Sequence, residues 1–219
     1  MTGYIIFDFD GTLADTSEGI VKTVQTTLDT MGLPQQPAAQ IKATIGLPLS
    51  ETIRLGGRVP EERVEEGVSI YREKFFSVAT GHIKLFPGVR ETLLEMHDSG
   101  IRLAIATSRG ANSLGVILRN YGIYDIFDEM ATSSDNYEPK PSPEMVLKLM
   151  ERLGATAAGT LVVGDTTFDL LMGKGAGYRT CGVSYGNHDR ATLASVSPDF
   201  IVDSFPEIKR ILAYESDGS

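Results

Sequence analysis

The chain has 219 residues, of which 42% are hydrophobic, enough for one sizeable domain or a core domain with an insertion and too apolar for a disordered chain. A formal net charge of −9 and a pI of about 4.9 argue against nucleic-acid binding through a general basic surface, yet allow a local cationic pocket. Cys181 is the only cysteine, which excludes an internal disulfide. Apolar runs fall short of the ~18 residues that span a bilayer, and no leader pattern opens the chain, so a cytoplasmic protein free of membrane is expected.

In chain order, the β-rich run over residues 4–9 predicts a buried strand ending in a glycine turn. From Thr16 onward, Ile20, Val21, Val24, Leu28 and Met31 recur at helical spacing, and Gly32 with Pro34 and Pro37 ends that helix. Short helices are predicted over 38–45 and 49–55, separated by Gly46-Leu47-Pro48. A longer one covers 61–79, with Val64, Val68, Tyr71 and Phe75 on one face. After Phe86-Pro87-Gly88, helices at 88–99, 111–121, 143–153 and 167–175 alternate with strands at 103–106, 127–131, 160–163, 179–183 and 200–202. Such alternation predicts an α/β fold, a doubly wound parallel sheet. The sheet domain takes residues 1–14 and 83–219, and residues 15–82 form an inserted all-α helical cap. Gly173, Gly175 and Gly177 lack the spacing of a dinucleotide loop and read as close helix–sheet packing at a helix end. Residues 214–219 are polar and expected to fray. Cys181 follows an apparent strand, with no histidine near it in sequence, and reads as a packed residue.

The chemistry lies where strands end. Phe7-Asp8-Phe9-Asp10-Gly11-Thr12 places two carboxylates where a parallel sheet presents ligands. Such a pair can divide the roles of nucleophile and proton carrier, or hold a hard cation; Asp is also an ordinary turn residue. Thr107 and Ser108 offer hydroxyls at a strand-to-helix turn, suited either to an anion or to capping the helix. Lys140, between Pro139 and Pro141, is either a stiffly held cation or a solvated loop lysine. Asp165 ends another apolar strand and needs a partner there, whereas Asp169, four residues on, also suits a helix N-terminus.

Taken in this order and spacing, the four segments resemble the haloacid dehalogenase superfamily, and most closely its members with a helical cap, such as phosphoglycolate phosphatase-like enzymes. The resemblance implies a Rossmann-like core and a Mg²⁺-dependent phosphatase acting on a small phosphorylated metabolite, a phosphoglycolate-like phosphomonoester or pyrophosphate. It implies that Asp8 forms an aspartyl-phosphate and that Asp10 is the acid and then the base. Asp8, the backbone carbonyl of Asp10, and Asp165 would hold Mg²⁺, with Asp169 in support. Thr107, Ser108 and Lys140 would bind the transferring phosphoryl group. Asp10 sets the chain apart from the metal-independent dehalogenases, which lack that acid. Sugar-phosphate mutases of the β-phosphoglucomutase type share all four motifs but usually carry a cap histidine where this chain has Ile20. A non-catalytic phosphate-binding protein on the same scaffold would be expected to have lost a motif residue. Arg54 and Arg58, near the Gly46 turn, are candidate cap contacts to a carboxylate or distal phosphate; a solvated surface role is the alternative. A cap covering its own site allows a monomer or a homodimer.

Overall fold

A computed structural model describes residues 4–154 and 159–211; residues 214–219, expected to fray, lie outside them. The strands are β1 (Tyr4–Phe7), β2 (Ala14–Asp15), β3 (Lys84–Leu85), β4 (Arg102–Ala106), β5 (Glu129–Ala131), β6 (Leu161–Gly164), β7 (Arg179–Val183) and β8 (Phe200–Val202). The helices are α1 (Ser17–Met31), α2 (Ala38–Lys42), α3 (Leu49–Glu51), α4 (Val64–Ala79), α5 (Val89–Asp98), α6 (Ala111–Asn120), α7 (Glu144–Leu153), α8 (Thr167–Gly175) and α9 (Arg190–Ala194). Six strands form one parallel sheet in the order β5-β4-β1-β6-β7-β8, as the alternating pattern predicts.

Alternate side chains of β1 supply the two faces of the sheet. Ile5 and Phe7 pack with Leu93 and Met96 of α5 and Leu114 and Leu118 of α6. Tyr4 and Ile6 pack with Met145, Val146 and Leu149 of α7 and Met172 of α8. The first of these cores continues through Phe9, Leu13 and Ile20 into α1 and α4, so the helical block shares apolar packing with the sheet. Phe7 pairs with Ile105 on one side and Val163 on the other. That register brings Asp8, Thr107 and Asp165 to one carboxyl edge.

Several local predictions need correction. β1 stops at Phe7, and the backbone N–H of Asp8 still donates to the Val163 carbonyl at 2.9 Å. β2 and β3 form an antiparallel ribbon where the chain enters and leaves the helical block. Two residues are too few to show a periodicity, and nothing in the pattern marked them. The predicted 49–55 helix is α3 followed by a π-helical turn, Thr52–Gly56, and α9 was missed because only Leu193 of its residues is buried. A Cβ on Gly173 would stand 2.8 Å from Val162 and Thr180, which is the close helix–sheet packing expected there. Among the described residues, no helix is long and apolar enough to cross a membrane.

Candidate active site

Asp8 is buried at the end of β1, where its Oδ1 accepts from Lys140 Nζ at 2.7 Å. The same ammonium donates to Asp169 Oδ1 at 2.6 Å. Lys140 is only 4% exposed, so it is the fixed cation rather than the solvated loop residue. Burial opposes its charge, but Asp169 and Asp8 outweigh that and hold its pKa above the ordinary lysine value. Burial pushes Asp8 up to about 7, with Asp169 and Asp10 adding to the rise and Lys140 opposing it.

Asp165 follows β6 and is fully buried. Its Oδ1 accepts from the Thr12 hydroxyl at 3.2 Å, and its Oδ2 accepts from the backbone and side-chain N–H groups of Asn187 at 2.7 and 2.8 Å. Burial, and then Asp169 and Asp8, hold Asp165 well above the carboxylate range against those donors. Gly11 has a φ of +89°, and a Cβ there would fall 2.1 Å from Asp165 Oδ2. Only glycine permits both that backbone and that approach. Asp169 fills both readings offered for it. Its Oδ2 closes a capping box on Thr166 at the start of α8, while its Oδ1 takes Lys140.

Carboxylate oxygens of Asp8, Asp165 and Asp169 lie within 4.8 Å of one another. Lys140 contacts two of these three buried acids. An all-oxygen donor set with surplus negative charge fits a hard divalent cation such as Mg²⁺. The cluster contains Asp169 in addition to the expected Asp8 and Asp165. The Asp10 carboxylate points elsewhere, into a bidentate contact with Arg109: Nε reaches Oδ2 at 3.0 Å, and Nη2 reaches Oδ1. The Thr16 hydroxyl donates to the same Oδ1 at 2.6 Å. The Arg109 side chain is only 7% exposed, donates to Ser113 Oγ at 2.6 Å, and lies 4.8 Å from the centre of the Phe75 ring of α4.

Above Asp8 and Asp10 opens a cavity of about 480 Å³ between the helical block and the sheet edge, lined also by Thr107 and Ser108. Neither hydroxyl caps α6, whose N-cap is Gly110. Thr107 Oγ1 accepts from the Arg109 backbone at 3.2 Å, which leaves its O–H to donate. Ser108 Oγ donates to the Gly46 carbonyl at 3.0 Å. Gly46, at φ +101°, comes from the turn after α2, and a Cβ there would meet the Thr166 methyl at 3.3 Å. One turn of the helical block thereby sits against the loops that carry Ser108 and Thr166.

Arg54 and Arg58 stand outside the cavity lining. Arg54 pairs with Glu51 and lies 3.7 Å from Glu61, and Arg58 is exposed at a φ of 52°. The α4 cation that lines the cavity is Arg72. Sequence reasoning missed Arg72, Arg109 and Asn187. Arg109 had one available signal, its place directly after Thr107-Ser108, whereas Asn187 reaches Asp165 from a loop after β7 and had none.

Comparison with known proteins converges on one class. A family model described as haloacid dehalogenase-like hydrolase matches residues 5–183. The chain is 42% identical over 214 residues to "Probable phosphatase IndB" of Dickeya dadantii, covering 95% of this chain and 92% of that one. It is 31% identical over 212 residues to the pyrophosphatase PpaX of Halalkalibacterium halodurans, covering 97% of both. Among solved structures, a predicted phosphoglycolate phosphatase from Haemophilus somnus superposes with a TM-score of 0.86 at 26% identity, over 95% of this chain and 97% of that one. The chain belongs to the haloacid dehalogenase-like hydrolases. Within that family its similarity is to the phosphatases.

Proposed function

We propose that the protein is a Mg²⁺-dependent phosphatase that cleaves a small phosphorylated metabolite through an aspartyl-phosphate on Asp8. The observation that carries this reading is Lys140 bridging Asp8 and Asp169 beside the buried Asp165. An Asp8 carboxylate oxygen attacks phosphorus as the bond to the leaving oxygen breaks. Asp10 gives its proton to that oxygen, then takes one from the water that attacks the acyl phosphate, restoring Asp8 and releasing phosphate. Lys140 and the Thr107 hydroxyl neutralise and orient the phosphoryl oxygens, and Ser108 is the contact through which the cap turn at Gly46 meets that group. Asp8, the Asp10 carbonyl and Asp165, with Asp169 in support, would hold Mg²⁺, which would supply the charge that lets a carboxylate approach a phosphate dianion. Ile20, at the position where sugar-phosphate mutases usually carry a cap histidine, lines the cavity, which supports hydrolysis over transfer back to a sugar.

The relatives' names make phosphoglycolate and pyrophosphate the first compounds to assay, beside β-glucose 1-phosphate. Phosphate release that requires Mg²⁺ and disappears in Asp8→Asn is the expected result. Isomerisation of glucose 1-phosphate without release would replace the hydrolase by a mutase, and release that survives Asp8→Asn would refute the covalent route.

A further inference from the structure

The cavity over Asp8 and Asp10 is asymmetric in chemistry. The side from the helical block is mostly apolar, with Ile20, Leu49, Phe75 and Phe76 beside Thr52, Tyr71 and Arg72, and the side from the sheet domain carries Asn112, Ser133 and Asn136. Two cations line it, and they are not equivalent. Arg109 is committed to Asp10 and Ser113. Arg72 is exposed at the mouth. A glycolate carboxylate or a second phosphate leaving into this space would lie against hydrocarbon with its nearest buried guanidinium already paired, an expensive place for a charge. The volume of about 480 Å³ falls in the range of roughly 300–1,000 Å³ that suits much larger ligands. Phe76 is half-buried and edge-on to Phe75, with ring centroids 5.6 Å apart and planes at 75°, leaving an aromatic surface on the cavity wall.

We propose that the leaving group is a neutral alcohol bearing a ring, with the ring against Phe76 and Leu49 and its hydroxyl or amide groups toward Asn112 and Asn136. This assignment rests on the phosphatase reading and narrows it away from both phosphoglycolate and pyrophosphate. The test compares kcat/KM for benzyl phosphate and uridine 5′-monophosphate, which carry rings, with ethyl phosphate, phosphoglycolate and pyrophosphate, all with Mg²⁺ and with Asp8→Asn as control. The ring-bearing compounds are expected to lead by roughly tenfold or more, the scale of burying one ring. In Phe76→Ala the ratio of benzyl to ethyl phosphate should fall toward one, and in Phe76→Leu, which keeps apolar volume, it should fall part of the way. If phosphoglycolate or pyrophosphate leads in an Asp8-dependent reaction, the phosphatase reading stands and the ring assignment is wrong. A ring preference that survives in both Phe76 variants also overturns it. No Mg²⁺-dependent release from any compound would remove both.

Discussion

Lys140 lies within hydrogen-bond reach of two carboxylates and is almost without solvent. Replacing it with Ala leaves Asp8 and Asp169 buried without their cation, a change that costs about 3–5 kcal/mol when one member of a buried pair is removed. Calorimetry of the metal-free variant should show that loss, and turnover should fall with it. Arg109 acts on Asp10 rather than on phosphorus, so its removal has a different signature. In Arg109→Gln, ethyl phosphate turnover should fall by about 10²-fold, the low end of general-acid contributions. A p-nitrophenyl ester, whose leaving oxygen needs little protonation, should lose much less; equal losses would show a merely structural role. Burial pushes the Cys181 thiol up to about 12, with Glu207 adding to the effect. Native protein at pH 8 should therefore resist iodoacetamide and react only once unfolded. Asp8, Asp10, Lys140, Asp165 and Asp169 were legible because each stands in a local motif. Arg109 meets Asp10 across a sequence separation of 99 residues, a pairing no local pattern announces.

At the scale of elements, the strand ends place the acids and the turns between them set the spacing. A methyl on Gly11 would enter the space of Asp165 Oδ2 and come within 2.4 Å of Asn187 Nδ2, on a backbone that side chains rarely adopt. A strain-free Gly→Ala exchange stabilises by up to about 1 kcal/mol; Gly11→Ala should instead destabilise by more than that amount. It should also weaken Mg²⁺ binding, read as a smaller metal-induced rise in Tm than in the wild type. The parallel strands and the long helices were legible because buried runs and 3.6-residue periods extend over enough residues to be seen. α9, the π-helical turn and the β2–β3 ribbon were not, being set by tertiary contacts over a few residues. The cap side of the cavity escaped the sequence for the same reason. Tyr71, Phe75 and Phe76 belong to α4, and only packing decides which of its side chains face the site.

For the whole molecule, the surplus of buried negative charge at Asp8, Asp165 and Asp169 would tie folding to a bound cation. Asp8 is raised to about 7 from an ordinary value of 3.8, and Asp165 is raised as well, both chiefly by burial. A folded pKa above the unfolded one means that the native state binds more protons in that interval. The stability from Asp8 is therefore full below about pH 4 and is lost as the pH rises through about 7, and the raised Asp165 acts in the same direction. A divalent cation bound by these acids would replace the missing protons. The Tm gain on adding Mg²⁺ should consequently be larger at pH 8 than at pH 5.5, and Asp165→Asn should shrink it. A gain that is independent of pH would mean that the cation binds elsewhere.

The most direct test of the account is a single-turnover reaction with a cleaved substrate, quenched in acid and digested, with mass spectrometry of the peptide that contains Asp8. A phosphoryl group on Asp8 that appears and decays as phosphate is released, and is absent in Asp8→Asn, is the predicted result. Phosphate release with no phosphorylated peptide at any time, unchanged in Asp8→Asn, would contradict it.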